Sequence, residues 1–281
     1  MTILDAHAHV SADPASATRL YAAMDASGIA RAIVLAGGVL PPAQLARQFA
    51  GAPGVDVDAD NAAVLRAAVA SDDRLIPFYF ANPHRGADAY EADGAAFAGL
   101  KLGPVIHGVT FDDPRTVALI AVAERFGHPV YAHCLSRPGL TVADYVAVAR
   151  RFPAVRFMLG HAGIGTCDYA AVDELARVDN VWFETSGGFT SVVAAACKTL
   201  GALRVVFGGE FPLQSPAADR RRHQVRQIEA ADRAAIAERH AGRLLPSARE
   251  HQLHGHPGDA VDDEADEEVL ALHVERKRIQ A

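Results

Sequence analysis

The sequence lacks any long hydrophobic run, and it contains few cysteines. No stretch of about 18 consecutive apolar residues occurs among its 281 residues, so we predict no membrane-spanning helix. The N-terminus has no basic segment followed by an apolar run, and we therefore expect no secretory signal. The three cysteines include no Cys-x-x-Cys pair, which argues against a disulfide framework and against a thiolate zinc site. These absences favour a reducing, cytoplasmic setting.

Basic residues are also fewer than acidic ones, 27 against 34. The net charge is −7, and nothing in its distribution indicates a nucleic-acid-binding surface. Residues 246–281 contain four basic and nine acidic residues and so carry most of this charge. We expect the polar, histidine-rich stretch Pro246–Asp263 to be disordered. Glu264–Gln280 has acidic residues at its start and basic residues at its end, which favours a terminal helix and makes it a candidate homodimer contact.

The chain does contain a regular alternation of strand-like and helix-like segments. Most of the strand-like segments are nearly continuous apolar runs, as expected for a parallel sheet that is buried on both faces. Asp113-Pro114 begins one helix and Gly127 ends it, while Thr141 caps the next helix. The predicted strands are Thr2–His9, Arg31–Ala36, Leu75–Ala81, Phe97–Leu102, Pro129–His133, Val155–Gly160, Asn180–Thr185 and Leu203–Gly208; the later helices are Val142–Phe152, Asp168–Val178, Ser191–Leu200 and Pro216–His240.

Eight such strand–helix units fit a closed barrel. We therefore predict an α/β fold of the (β/α)8 TIM-barrel type as a single domain over residues 1–245, with residues 246–281 as an acidic tail. An open sheet of six or seven units is the competing architecture. The segment Gly37–Asp60 is long for the connection after a strand, and it predicts a pocket wall or a lid.

Two histidines stand two residues apart at the end of the first predicted strand. His7 and His9 lie on the same side of the strand because strand side chains alternate. In a barrel that side is the lumen, and barrel active sites are built at the carboxyl ends of the strands. Two imidazoles separated only by Ala8 can share one divalent ion, although this short pattern alone is a weak signal.

Further ionisable residues stand at the ends of other predicted strands. Lys101 lies at the end of the fourth strand, His133 ends the fifth and His161 follows the sixth. Glu210 follows the eighth strand. Because scattered structural histidines would not all fall at strand ends, the pattern predicts a divalent-metal site on this rim. Imidazole and carboxylate ligands suit zinc best in our interpretation, with manganese, iron or cobalt as alternatives.

Several motifs occur in an order and spacing typical of one family. They are Ile3–His9, Gly99–Gly108, Phe111–Arg115, Ala132-His133, Gly160–Gly163, Phe183–Gly187 and Phe207–Pro212. Together they resemble the amidohydrolase superfamily, in particular its amidohydrolase-related branch of small metal-dependent barrels. The resemblance runs from residue 2 to about residue 245.

The resemblance implies a role for each matching position. His7, His9 and His133 would bind the metal. Glu210 would bind the metal or its water and would act as general base. His161 would be a catalytic histidine, a residue supporting the ligands, or a ligand in a two-metal arrangement.

Two positions stay open within this resemblance. Lys101 would either be carbamylated to bridge two metals or would contact the substrate. The usual family pattern after the eighth strand is Gly-Ser-Asp-x-Pro, whereas this chain has Gly208-Gly209-Glu210-Phe211-Pro212. Glutamate moves the carboxylate outward by one methylene, while ligand geometry tolerates only a few tenths of an ångström. The pattern therefore predicts an adapted pocket, a shifted metal or an altered reaction.

Three functions are consistent with these residues. The leading hypothesis is a metal-dependent hydrolase that activates water to cleave an amide, lactone or related carbonyl bond of a small polar molecule. The resemblance also allows a metal-dependent decarboxylase of a small unsaturated or aromatic carboxylic acid. The third hypothesis is a catalytically altered or inactive barrel that acts as a binding or scaffold protein. His84, Arg85 and Arg137 lie on predicted rim loops and are candidate substrate-binding residues, with a structural or solvated role as the alternative.

Overall fold

The computed structural model describes residues 3–165, 167–223, 228–238 and 244–245. The predicted acidic tail, including the helix expected over Glu264–Gln280, lies outside the described residues. Within the described part of the chain, no helix has the length and apolar character needed to cross a membrane.

The described strands form a closed parallel barrel. Two hydrogen-bonded sheets run in the order β1-β2-β3 and β4-β5-β6-β7-β8-β9. The first and last strands close the barrel through the Ala8–Phe211 bridge and through a 2.8 Å bond from Ala6 N to Phe207 O. The strands are β1 (Ile3–Val10), β2 (Ile29–Ala36), β3 (Leu75–Pro77), β4 (Tyr79–Ala81), β5 (Leu100–Leu102), β6 (Val130–Ala132), β7 (Phe157–Leu159), β8 (Val181–Glu184) and β9 (Val205–Val206).

The third barrel strand is divided into β3 and β4. Phe78, between them, remains in the sheet because its N–H donates to Val34 O at 3.0 Å. The nine segments therefore make eight barrel strands, and the predicted α/β TIM barrel is confirmed.

Helices connect the strands, and several begin and end at the residues that the sequence indicated. Asp113 accepts a hydrogen bond from Arg115 N at the start of α6, and Gly127 ends this helix in the left-handed region. Thr141 and Asp144 form a capping box on α7. The helices are α1 (Ser16–Ser27), α2 (Pro42–Phe49), α3 (Asn61–Val69), α4 (Asp88–Asp93), α5 (Pro104–His107), α6 (Pro114–Phe126), α7 (Val142–Arg151), α8 (Tyr169–Leu175), α9 (Thr190–Leu200), α10 (Pro216–His223) and α11 (Ala230–Glu238).

The prediction of one helix over Pro216–His240 is wrong. The structure has two helices, α10 and α11, and Ile228 and Glu229 before α11 are not helical. Ile228 is buried in the core, and Arg233 donates to its carbonyl at 2.6 Å. The run Asp219–His223 in α10 is polar throughout, so it offers no apolar stripe on which a longer helix could pack.

A bulge in β1 sets the direction of the first histidines. The pairing with β2 passes from Asp5–Ala32 to Ala8–Val34, so β1 contains one extra residue over this step. Leu4 and Ala6 therefore pack inside the barrel below the bulge, and His7 faces the lumen directly above it. The interior layer consists of Leu4, Ala6, Ile33, Leu35, Ile76, Phe78, Tyr131, Met158, Val206 and Leu244.

Candidate functional site

Imidazoles from three barrel strands meet at the carboxyl end of the lumen. The ring centroids of His133 and His161 are 4.2 Å apart, and those of His7 lie 5.4 Å from His133 and 5.0 Å from His161. One ring nitrogen from each of the three lies within 4.8 Å of the others. The strand ends thus bring together three residues that are separated by 28 to 154 positions in the sequence, and these residues form one cluster.

His9 adds a fourth imidazole beside His7. The two Nε2 atoms are 3.0 Å apart, and His9 Nδ1 lies 3.3 Å from the carbonyl oxygen of Ala36. Burial lowers the pKa of His7 well below its usual range, and burial followed by the nearby Lys101 lowers that of His9 to about 4. Both rings are therefore neutral at pH 7, which is the form that binds metal ions.

The donor set fits a divalent metal ion. Two imidazole nitrogens that each bind zinc at about 2.0–2.1 Å lie about 3.0–3.4 Å from one another, and the pair formed by His7 and His9 meets this condition. His133 and His161 are also kept neutral, mainly because burial lowers the pKa of each ring. The described residues therefore offer neutral imidazoles from four positions. The sequence had left the role of one of them, His161, open.

Lys101 lies at the inner side of this cluster. Its Nζ is 2.7 Å from His133 Nε2 and 4.1 Å from the centre of the Tyr131 ring. Burial lowers the pKa of the Lys101 amine well below its usual range. The lysine that the sequence proposed as a catalytic or substrate-binding group is thus placed against a candidate metal ligand.

Glu210 reaches the cluster through His161. Its Oε1 is 3.4 Å from His161 Nε2, and its Oε2 accepts a 2.5 Å hydrogen bond from Gln214 Nε2. Burial raises the pKa of Glu210 to about 7. Both Glu210 (φ 46°) and His161 (φ 60°) have left-handed backbone conformations, which is a strained state for residues other than glycine and is common at functional sites.

A buried glutamate that the sequence analysis did not single out lies beneath the imidazoles. Glu184, at the end of β8, is fully buried and accepts hydrogen bonds from Tyr131 Oη at 2.9 Å and Ser186 Oγ at 2.8 Å. The same two hydroxyls contact His7 Nδ1 at 2.8 Å and His161 Nδ1 at 3.1 Å, respectively. The feature of the sequence that could have identified Glu184 is a charged residue at the end of an otherwise apolar strand.

Two glycines leave room for this network. A Cβ atom at Gly208 would overlap Glu184 Oε1, and one at Gly160 would overlap Tyr131 Oη. A larger residue at either position would therefore collide with a side chain of the site, and this explains why glycine occupies both positions.

Asp5 is a second buried carboxyl group that the sequence analysis missed. Its Oδ1 accepts from His7 N at 2.9 Å and from Gly209 N at 2.8 Å. These bonds join the bulge of β1 to the segment that carries Glu210. Asp5 thereby fixes the two chain segments that deliver candidate ligands from opposite ends of the sequence.

Three of the four predicted substrate-binding residues, all except Lys101, contact neighbouring loops. His84 Nε2 lies 3.0 Å from His107 O, and Arg85 forms ion pairs of 3.1 and 3.0 Å with Asp56 and Asp58. Arg137 donates to the backbone carbonyls of Ala52 and Gln48. Their contact with a substrate stays a prediction, because each contact described here is with the protein.

The segment Gly37–Asp60 packs against the loop after β5. It contains α2, and Val55 N donates to Ile106 O at 2.8 Å. Gly54 lies so close to the carbonyl of His107 that a side chain there would overlap it. A cavity of about 300 Å³ lies beside Arg85, and none of the clustered histidines is among its lining residues, which include Asp58, Asn61, Tyr79, Asn82 and Tyr90.

Comparisons with known proteins agree with this architecture. A family model described as "Amidohydrolase" matches residues 4–247, whereas no curated protein sequence gives a significant match. One similar structure is 5-carboxyvanillate decarboxylase from Sphingomonas paucimobilis, which is 16% identical with a TM-score of 0.63 over 87% of this chain and 98% of the other.

Two further structures contain a metal ion. A 5-carboxyvanillate decarboxylase from Novosphingobium aromaticivorans, complexed with manganese and 4-hydroxy-3-methoxy-5-nitrobenzoic acid, is 15% identical with a TM-score of 0.64 over 86% of this chain and 95% of the other. An amidohydrolase from Burkholderia multivorans with bound zinc is 18% identical with a TM-score of 0.61 over 88% of this chain and 100% of the other. At these identities the likeness concerns the fold.

Proposed function

This chain belongs to the amidohydrolase family, and from that premise we propose that it is a metal-dependent hydrolase acting on a carbonyl bond of a small polar molecule. The observation that carries the proposal is the partly buried cluster of neutral imidazoles with Glu210 at its edge. An amide or lactone is the substrate class that this chemistry suits.

His7, His9 and His133 would hold the metal, and His161 and Glu210 would supply further donor atoms. The bound ion would polarise the carbonyl group and make a water molecule more acidic. Zinc is our first choice, and one structural neighbour contains zinc. Another structural neighbour contains manganese. Manganese, iron and cobalt also suit nitrogen and oxygen ligands of this kind.

The residues of the chain itself would move the proton. Glu210, with a pKa near 7, is suited to take a proton from water at its carboxylate and to release it to the leaving group. Gln214 holds the other carboxylate oxygen, so Oε1 is the oxygen left facing His161. Nε2 of the half-buried His161 lies 3.4 Å from Oε1.

A second candidate function is decarboxylation of an unsaturated or aromatic carboxylic acid. It is favoured by the 5-carboxyvanillate decarboxylases among the similar structures, one of which holds a substituted benzoic acid together with manganese. The same donor set would serve this reaction, with Glu210 or His161 supplying the proton that replaces the carboxyl group.

The decisive experiment combines metal analysis with product analysis. Purified protein should contain close to one equivalent of a divalent metal, and removal of that metal should abolish turnover that returns on adding Zn²⁺ or Mn²⁺. Turnover of lactones and amides in ¹⁸O-labelled water should place the label in the product. Release of CO2 from aromatic acids without label incorporation would identify the decarboxylase instead. Less than about a tenth of an equivalent of metal, with no rescue, would contradict both functions and favour an inactive binding protein.

A further inference from the structure

The fully buried carboxylate of Glu184 is connected to two of the clustered imidazoles through hydroxyl groups. Such a group can set which ring nitrogen of a histidine carries the proton, because the nitrogen that donates a hydrogen bond leaves the other with a free lone pair. We propose that Glu184 is a positioning residue that fixes the tautomers of both His7 and His161.

The first connection runs through Tyr131. An ionised carboxylate only accepts hydrogen bonds, so the Tyr131 hydroxyl donates its single proton to Glu184 Oε2 at 2.9 Å. The hydroxyl oxygen is then an acceptor for His7 Nδ1, which lies 2.8 Å away. His7 therefore carries its proton on Nδ1, and its Nε2 has a free lone pair.

The second connection runs through Ser186 and has the same polarity. Ser186 Oγ donates to Glu184 Oε2 at 2.8 Å, and its oxygen accepts from His161 Nδ1 at 3.1 Å. The proton of His161 is thus placed on Nδ1, and Nε2 faces Glu210 with its lone pair. One carboxylate oxygen in this way orients two imidazoles that come from different strands.

The carboxylate of Glu184 is itself held in a fixed orientation. The backbone N–H of His161 donates to Oε2 at 3.0 Å, and that of Ser186 donates to Oε1. An amide at position 184 would have to turn its NH2 group toward one of these two N–H donors. Glutamine is therefore a poor replacement in spite of its equal size.

The consequence concerns the pair formed by His7 and His9. His9 Nδ1 faces the carbonyl of Ala36 and donates to it, so His9 Nε2 also carries a lone pair. With His7 fixed in the Nδ1-protonated tautomer, the two lone pairs face one another at 3.0 Å. A cation between them removes their repulsion, so the relay through Glu184 prepares the pair for metal. The tautomers of His7 and His161 do not depend on a bound metal. Only their effect on metal binding rests on the proposed metal-dependent function.

The test reads the tautomers directly by NMR. Metal-free protein labelled with ¹⁵N in its histidine side chains should show His7 and His161 each protonated on Nδ1 at a pH where both rings are neutral. Ser186→Ala should change the tautomer of His161 to a mixture. His7 Nδ1 lies 3.3 Å from Ser186 Oγ but 2.8 Å from Tyr131 Oη, so the closer tyrosine should keep the tautomer of His7 in place. Thr185→Val is the matched control, since it removes a neighbouring buried hydroxyl for which the described contact is with Gly208 N, and it should change neither ring.

Glu184→Gln tests the shared carboxylate. It should alter both tautomers and should weaken binding of Zn²⁺ or Mn²⁺ about 10- to 100-fold in a direct titration. If this variant does not fold, Ser186→Ala decides the question. Protonation of either ring on Nε2 in the unsubstituted protein, or unchanged tautomers in both variants, would overturn the proposal. Altered tautomers with unchanged metal affinity would support the relay and contradict the proposed metal site.

Discussion

Glu210 stands where the sequence pattern that this chain otherwise resembles has aspartate. Its longer side chain is combined with a left-handed backbone and with a hydrogen bond from Gln214, and Oε1 still contacts His161. The extra methylene has therefore not removed the carboxylate from the cluster. This geometry favours the adapted pocket among the outcomes that the sequence left open.

Glu210→Gln is expected to lower kcat about 10²- to 10⁴-fold, because an amide cannot accept the proton that the carboxylate takes. The measurement is steady-state kinetics on the best substrate from the hydrolase and decarboxylase panels, with metal content and circular dichroism on the same samples. Glu91→Gln, an exposed glutamate on α4, is the control and should leave kcat unchanged. An unchanged kcat in Glu210→Gln would exclude this residue as the base.

Asp5→Ala is expected to destabilise the fold, since it leaves the buried N–H groups of His7 and Gly209 without their acceptor. Each such group costs about 1–3 kcal/mol when it stays unsatisfied. Urea unfolding followed by tryptophan fluorescence gives the free energy of unfolding. Asp5→Asn keeps an acceptor oxygen and should recover part of the loss; equal losses in both variants would show that these two bonds are not the source of the stability.

Among the elements, α6 shows how a helix start can be recognised in the sequence. Asp113 accepts from Arg115 N, and Pro114 occupies the first turn, where its missing N–H is not needed. Hydrogen bonds from Arg115, both from its side chain and from its backbone, lower the pKa of the Asp113 carboxyl to about 2 despite some desolvation.

Asp113→Ala should lower the free energy of unfolding by about 1 kcal/mol at pH 7. The folded pKa lies below the ordinary value, so this contribution is complete above about pH 4 and is lost as the pH falls through about 2. Urea unfolding at pH 7 and at successively lower pH should therefore show the two proteins converging. Glu124→Ala on the exposed side of the same helix should change stability by less than about 0.5 kcal/mol. A difference that persists at the lowest pH would contradict the contribution of the ionised carboxylate.

The elements also show where sequence reasoning succeeds and where it stops. Strand ends in a parallel barrel share one rim by topology, which is why His133 and His161 were predicted to converge with the first histidines. Alternation along β1 does not reveal a bulge, and hydrogen-bond partners more than a hundred residues apart leave no local pattern. Asp5 and Glu184 were missed for these reasons. The single long helix was predicted wrongly because propensity without an apolar stripe does not define a helix.

For the molecule as a whole, the imidazole cluster spans the closure of the barrel. β1 contributes His7 and His9, while the segment that follows β9 contributes Glu210 and pairs with β1 through Ala8 and Phe211. A metal bound by both segments would connect the first and last strands. Metal binding should therefore be coupled to global stability.

Saturating Zn²⁺ or Mn²⁺ is expected to raise the melting temperature of metal-free protein. The gain corresponds to about 2.7 kcal/mol at a free metal concentration of 100 times Kd. Differential scanning calorimetry with and without a chelator measures it. His133→Ala should reduce the shift strongly, whereas His84→Ala, which removes a loop contact, should preserve it. An equal shift in melting temperature in both variants would show that the metal binds at a site that does not include His133.

The close approach of Glu184 to Gly208 has a consequence for how this barrel can change in evolution. Any side chain at position 208 meets the carboxylate of Glu184, so its acceptance depends on a prior replacement of that glutamate by a smaller residue. That first replacement, however, removes the acceptor shared by Tyr131 and Ser186. Positions 208 and 184 are thus epistatic: a substitution at either one alone is unfavourable, whereas substitutions at both together are tolerated. Relatives should accordingly carry one combination or the other, with few intermediates between them.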